Sequence, residues 1–323
     1  NNASISAANL TTPGSVTVDA GTRELHAGTT SVQSRAIAGA GGLVGLGAAV
    51  SLAKNDTANS ASLSGTVNAG GAVNVSALDD ASMRSESYGA SVGAVSVGVV
   101  IAKAEQSGSV FTQVGGSITG QGLSINAQRD SSTSAYAKGG SAGVVSGSGA
   151  EADATDSSSV KVALASGASL NAQQGGLTIL ANSNPNANTE ALGVSVASGV
   201  AMGVSIAKSS VTSDVEVKSL GGLTMSGQSV SISAVLGAGN ATVSSSATAG
   251  SGGMLMGATG VSATSENKGS AKVILPGQTL LTTTGDVAIT AIDVDPEMNR
   301  AIVYYDSLIG EDGDRSEERR VGK

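Results

Sequence analysis

Two stretches of the chain match the Gly-x-Ser-x-Gly pattern that surrounds the nucleophilic serine of many hydrolases. They are residues 89–93, centred on Ser91, and residues 139–143, centred on Ser141. Such a serine needs a histidine as its base and a turn from a strand into a helix. His26 is the one histidine of the chain, and it precedes both serines. Because glycine and serine are abundant and no helical pattern follows, we interpret both matches as chance and predict no catalytic residues.

Paired carboxylates could cleave a polysaccharide, because glycoside hydrolysis uses two carboxyl groups held close together across the scissile bond. Asp79 and Asp80 are adjacent, and Asp153 and Asp156 are near neighbours, but neither pair recurs at matching places along the chain. Aromatic platforms for sugars are also scarce, with 4 tyrosines and no tryptophan. We therefore predict that the chain is not an enzyme.

Acidic oxygen ligands of the kind that calcium prefers occur in residues 293–297 and 311–314. Neither segment has the spacing of an EF-hand or of the nonapeptide calcium repeats. His26 has no second histidine and no cysteine with which to share a metal ion. We interpret the acidic segments as solvated loops, and we predict no metal site and no cofactor.

The composition limits the class of protein that these residues can belong to. Of 323 residues 46 are glycine, aromatic residues make up 2%, and cysteine is absent. Valine and isoleucine recur too regularly for a disordered chain, and glycine lacks the three-residue period of collagen. A formal net charge of −8 argues against nucleic acid as a partner. The absence of cysteine fits a chain exported across a bacterial envelope, and small apolar residues predict an elongated fold with a thin core.

A short alternating motif, Gly-x-Val-x-Val-x-Ala in its simplest form, recurs six times. Its regular spacing makes it the framework that positions the other residues of the chain. It begins near residues 14, 71, 121, 175, 228 and 285. The first apolar residue of each copy gives a mean spacing of about 54 residues, which lies near the range of solenoid and propeller repeats. Alternation of apolar with polar residues predicts half-buried strands, in which Val16, Val18 and Ala20 face one way and Thr17 and Asp19 the other.

A second block, rich in glycine, alanine and valine, follows each of the first five motifs. It runs over residues 39–54, 89–103 and 193–208, where it ends on Lys54, Lys103 and Lys208, and over 139–152 and 250–263, where it does not. We interpret the block as a core strand and the lysines as solvated strand ends or edge-protecting charges. The block is short for a membrane-spanning helix, so we predict no membrane insertion by this segment.

These blocks, and a third strand-like block at residues 109–118, 158–164 and 213–220, predict an all-β fold. We favour a right-handed parallel β-helix over residues 1–291, with an antiparallel meander or prism as the alternative; the Trp-Asp signature of propellers is missing. With coils of about 18 to 27 residues, each repeat would form two or three coils, and the rod would measure about 60 to 85 Å.

The six Gly-x-Val-x-Val-x-Ala strands and the blocks ending Ile-Ala-Lys resemble the repeats of large filamentous adhesins of the leukotoxin-like and filamentous-haemagglutinin-like kind. The resemblance covers about residues 1–291. It implies a secreted protein of the bacterial cell surface, in which this segment is a structural stalk that contributes to attachment and continues into the same chain at both ends. The alternatives are a solenoid face that binds host or environmental glycans or proteins directly, and a passenger segment of a toxin or polysaccharide-active enzyme.

The end of the chain differs in composition from the repeats. Residues 292–314 are more acidic and contain Tyr304 and Tyr305, which we interpret as the start of a further module. Residues 315–323 resemble the translation of a sequencing adapter, so we expect this tail to be non-biological.

Overall fold

The computed structural model describes residues 1–22, 32–237, 241–293, 300–305 and 308–310. His26, residues 294–297 of the first acidic segment, the whole second acidic segment at 311–314, and the tail at 315–323 lie outside these residues. The regular elements of the described residues are all strands. In chain order they are β1 (Asn2–Thr12), β2 (Val16–Thr22), β3 (Val32–Ala69), β4 (Val73–Val114), β5 (Ser117–Thr119), β6 (Leu123–Leu164), β7 (Ala168–Ser219), β8 (Leu223–Leu236), β9 (Val243–Gly253), β10 (Met256–Asn267), β11 (Ser270–Leu275), β12 (Thr279–Thr283), β13 (Val287–Asp293), β14 (Arg300–Tyr305) and β15 (Leu308–Gly310).

The strands pair in parallel, and the six motifs lie directly above one another. The first apolar residues of the motifs form one column, in the order Val16, Val73, Leu123, Leu177, Val230 and Val287. The parallel β-solenoid is therefore confirmed, and the antiparallel alternative is wrong.

One repeat forms one coil, because each strand pairs with the strand one repeat further along. Val73 to Val114 of β4, for example, pairs with Leu123 to Leu164 of β6 almost residue for residue. The expected two or three coils per repeat are wrong. Six strands at the usual spacing of about 4.8 Å rise only about 24 Å, so the solenoid is short and wide instead of long and thin.

Each long strand runs out, folds back and returns, so that the coil has two facing layers. A Cβ placed on Gly89 of the outgoing part of β4 would lie 2.6 Å from Val100 of the returning part. In β7, a Cβ placed on Gly193 would likewise lie 2.7 Å from the carbonyl oxygen of Val204 in the returning part. The fold-back falls at glycine-containing segments near residues 42, 93, 143, 199 and 253, where the pairing skips a residue or the backbone on either side of the turn comes close.

The coil has two regions with different cores. At one end, three sides enclose valine, leucine and isoleucine from the motif strand, the returning strand and a short third side; Val73, Val110 and Ile118 represent the three sides in the second coil. We call this the three-sided end. At the other end the two layers face each other directly over a core made largely of alanine. We call it the flat lobe; it comprises residues 32–53, 83–104, 133–154, 187–209 and 243–265.

A column of glycines forms the corner between the returning strand and the third side. Gly65 and Gly116 have φ of 104° and 86°, in the left-handed region that favours glycine. A Cβ on Gly116 would lie 2.2 Å from the carbonyl oxygen of Gly65 in the coil below. The corner therefore needs glycine both for its backbone angles and for the close approach of stacked coils.

Candidate functional site

The inner surface of the flat lobe brings its two layers unusually close together. Ser87 donates a hydrogen bond to the carbonyl oxygen of Ala49 across the lobe at 2.8 Å, and Ser205 donates one to Thr248 at 2.6 Å. A serine side chain that reaches the facing backbone leaves much less than the roughly 10 Å that usually separates packed sheets. Most of the side chains between layers this close are therefore small ones such as glycine, alanine and serine, with Val100 and Met83 as larger exceptions.

The large apolar side chains of the lobe consequently lie on its outside. Leu46 is 70% exposed, Val97 41% and Met202 56%, while their neighbours Gly45, Ser96 and Ala201 are buried. The interpretation of these blocks as core strands is thus wrong for their bulky residues, because close layers invert the usual rule of apolar inside and polar outside. Among the described residues, no helix is long and apolar enough to cross a membrane.

Charged residues of both signs border this apolar surface. Lys54 lies 3.7 Å from Glu105, and Lys103 lies 3.8 Å from Glu151, each pair joining neighbouring coils. The lysines lie within continuous strands, so the prediction that they end strands is wrong. Their side chains are solvated to different extents, with 63% of Lys54 and 40% of Lys103 exposed.

An aromatic and charged cluster lies on the opposite outer face of the lobe. Arg35 stacks over Tyr88 at 5.2 Å and Arg84 over Tyr136 at 4.7 Å. Both guanidinium groups also pair with the carboxylate of Glu86. We call these five residues the Arg/Tyr cluster. It offers two tyrosine rings held in place on adjoining coils.

Three charged side chains are buried where the lobe meets the three-sided end. Arg129 is fully buried, and its Nη1 donates to Oδ2 of Asp79 at 2.7 Å. Asp156 is also fully buried and accepts a hydrogen bond from Ser131. Oδ1 of Asp156 and both Nε and Nη2 of Arg129 have no hydrogen-bond partner among the described residues. We call Asp79, Arg129 and Asp156 the buried triad.

Burial sets the protonation of this triad. Desolvation raises the pKa of Asp156 above its ordinary value, although Arg129 and Ser131 oppose the shift. Desolvation also raises the pKa of Asp79, against the opposing charge of Arg129. One guanidinium cannot neutralise two ionised carboxylates, so the triad favours a proton on one of the acids.

The structure separates the carboxylates that the sequence placed side by side. Asp79 points inward whereas Asp80 is exposed, and Asp156 points inward whereas Asp153 lies on the outer side. Asp79 and Asp156 meet instead, around an arginine that the sequence reasoning missed. In the described part of the chain, no three histidine, cysteine, aspartate or glutamate side chains are grouped so as to hold a metal ion.

The two Gly-x-Ser-x-Gly serines are ordinary residues of the lobe interior. Ser91 and Ser141 stack on each other and on Ser195 within continuous strands, with Ser141 donating to Ser195 at 3.1 Å. A surface depression of about 240 Å³ lies near the charged border and is lined by Lys54, Glu105, Gln106, Ser107, Thr155 and Ser157.

Comparison of the chain with protein-family models, with curated proteins and with solved structures finds no match.

Proposed function

We propose that this chain is a stalk segment of a secreted, surface-exposed bacterial adhesin, which holds a distant binding region away from the cell and so contributes to attachment. The observation that carries the proposal is the unbroken register of the motif column from Val16 to Val287. A solenoid that stacks identical registers gains height with every added repeat and needs no new kind of contact. The resemblance of the motifs to filamentous adhesin repeats supports the same function.

Surface labelling of intact cells that produce the protein tests its location. An antibody raised against the chain should label such cells without permeabilisation, and protease added outside should remove the label. Labelling that requires permeabilised cells would contradict a surface stalk.

Pulling the chain from its two ends tests the mechanical role. Release of one coil frees about 54 residues, or about 190 Å of extended chain. A stalk should unfold in steps of this length, because each coil contacts only its neighbours. Unfolding in a single step of the whole chain at low force would argue against the stalk.

The Arg/Tyr cluster favours a second candidate function, direct binding of glycans or proteins by the solenoid face. Tyr88 and Tyr136 present ring surfaces that could stack on a sugar or a partner side chain. Binding of the chain to a glycan array, lost in Tyr136→Ala and kept in Thr178→Ala on the three-sided end, would support this candidate. An array without binding would favour the stalk alone.

A further inference from the structure

The returning layer of the flat lobe has an outer face that carries nearly half of the large exposed apolar side chains of the described residues. This layer comprises residues 44–53, 95–104, 145–154, 200–209 and 256–265 in five adjacent strands. Its outward side chains are arranged in rows across the coils. The first three rows contain no charged residue, and together they consist of Val44, Val95, Val145, Val200 and Met256, then Leu46, Val97, Gly147, Met202 and Ala258, then Ala48, Val99, Gly149, Val204 and Gly260.

We propose that this outer face binds the same face of a second copy of the chain, so that two solenoids lie side by side. The two-fold arrangement described below overlaps four of these strands, and four strands about 4.8 Å apart with nine residues about 3.3 Å apart give a face of about 570 Å². That is smaller than the roughly 800 Å² that each partner contributes to a standard interface and lies in the size range of weak, reversible contacts, which fits a dimer that depends on concentration.

The ridges and grooves of this outer face fit those of a second copy that is related by a two-fold rotation. The second coil forms a ridge through Val97 and Val99, and the third coil forms a groove through Gly147 and Gly149. A Cβ on Gly147 would contact nothing within 4 Å, so the groove is open to the outside. A two-fold axis parallel to the strands reverses the order of the coils and keeps each residue in its row. With the axis between the second and third coils, the ridge of each copy enters the groove of the other.

The same arrangement pairs opposite charges at the border. Lys103 of the second coil and Asp153 of the third coil occupy one row. Reversing the coil order places Lys103 of one copy opposite Asp153 of the other, and the pair forms twice. A lipid surface would match neither the relief nor this alternation of sign, which is why we infer a second copy as the occupant.

Sedimentation velocity of the chain over about 1 to 100 µM tests the proposal, and we expect a concentration-dependent dimer. The double variant Val97→Lys, Met202→Lys places unpaired charges in the interface and should weaken dimerisation at least about 100-fold. The matched control is Thr178→Lys, Thr224→Lys, which adds the same charges at exposed positions of the three-sided end and should dimerise normally. Circular dichroism verifies that both variants fold.

A charge exchange and a cross-link test the geometry. Lys103→Asp should weaken the dimer, because two aspartates then face each other, and Lys103→Asp combined with Asp153→Lys should restore it. Since the chain has no cysteine, mixing Val97→Cys with Gly147→Cys should give a disulfide-linked heterodimer, and mixing Val97→Cys with Thr178→Cys should not.

Three results would overturn the proposal. The first is a monomer at every concentration. The second is association that the double lysine variant does not weaken, which would indicate pairing through the open edges of the strands. The third is flotation of a monomeric chain with vesicles of phosphatidylcholine and phosphatidylglycerol, which would assign the face to a membrane.

Discussion

The three-sided end and the flat lobe belong to the same coils, share the same parallel ladder and fill their interiors in opposite ways. The three-sided end buries valine, leucine and isoleucine, such as Ile125 and Leu170, and its outer side chains are mostly polar. The lobe buries mostly alanine, serine and glycine and exposes most of its valines. The difference teaches that the separation of the layers, set by the size of the inward side chains, decides which residues face water. The alternation of the strand alone does not.

The buried triad lies where one kind of core changes into the other. At this point the layers are neither held apart by leucine nor closed by alanine, and Arg129 occupies the space between Asp79 and Asp156. Its burial makes this junction the position at which we expect a single substitution to have the largest effect.

Replacing Arg129 by methionine should lower the free energy of unfolding by about 3 to 5 kcal/mol, because it leaves two buried carboxylates without their cation. Arg84→Met, which removes a half-exposed arginine, should cost no more than about 1 kcal/mol. Urea unfolding followed by circular dichroism measures both. Adding Asp79→Asn and Asp156→Asn to Arg129→Met should recover most of the loss; equal effects of the two arginine variants would show that the junction is not special.

Removing a leucine side chain compares the two regions directly. Leu170→Ala opens a cavity in the three-sided end and should cost about 2 to 5 kcal/mol. Leu46→Ala removes the same atoms from the outside of the lobe and should change stability by about 0.5 kcal/mol or less when the chain is monomeric. If both cost the same in urea unfolding at low protein concentration, the lobe would bury its bulky side chains after all.

Adding one methyl group tests how close the lobe layers are. Gly193→Ala places a Cβ 2.7 Å from the carbonyl oxygen of Val204 and should cost about 1 to 3 kcal/mol. Gly147→Ala points to open space and should be neutral or stabilising by up to about 1 kcal/mol. Thermal unfolding of the two variants gives the comparison, and a harmless Gly193→Ala would mean that the layers can separate.

The pH dependence of stability distinguishes a buried from a surface carboxylate. The folded pKa of Asp156 is raised, so the folded state holds its proton longer, and stability should fall as pH rises from the unfolded value near 3.8 through the folded pKa. One proton gives a slope of at most about 1.4 kcal/mol per pH unit, and Asp156→Asn should remove it.

Asp214, on the outside of the three-sided end, should behave in the opposite sense. Burial raises its pKa, but hydrogen bonds from Ser270 and Lys161 and the charge of Lys272 outweigh burial and lower it. Its contribution to stability is present above the unfolded pKa and is lost as pH falls through the folded pKa. Asp214→Asn should therefore flatten the acid side of the profile by less than Asp156→Asn changes it, because Asp214 is partly solvated.

The sequence predicted the motif strands and which of their residues face inward, because strongly apolar residues alternate with polar ones in each motif. It did not predict that Val16 pairs with Val73 in the next coil. It could not give the number of coils, since a 54-residue repeat fits one wide coil or several narrow ones equally well. The direction of the lobe valines was also missed. Serine at alternate positions, as at Ser195 and Ser205, was the available signal that the small residues face inward.

The sequence contains a signal for two members of the buried triad. Asp79 continues the inward alternation of Val73, Val75 and Ala77, and Arg129 continues that of the next motif in the same way. Their positions in the alternation of inward and outward residues therefore predict burial for both charged side chains. The alternation along the motif strand does not predict their partner. Asp156 lies on the returning strand, and its position depends on where the chain folds back.

The coincidence of one repeat with one coil has a consequence for how such a gene can change. Unequal recombination between copies of the repeat inserts or deletes a whole coil. The remaining motif strands then stack on each other in the same register, and their inward residues still face inward. The spacing of the first apolar residues already varies between 50 and 57 residues without disturbing that column. Length is thus the property that this fold can alter most freely, by copying or losing a unit of DNA and without a single new side-chain contact.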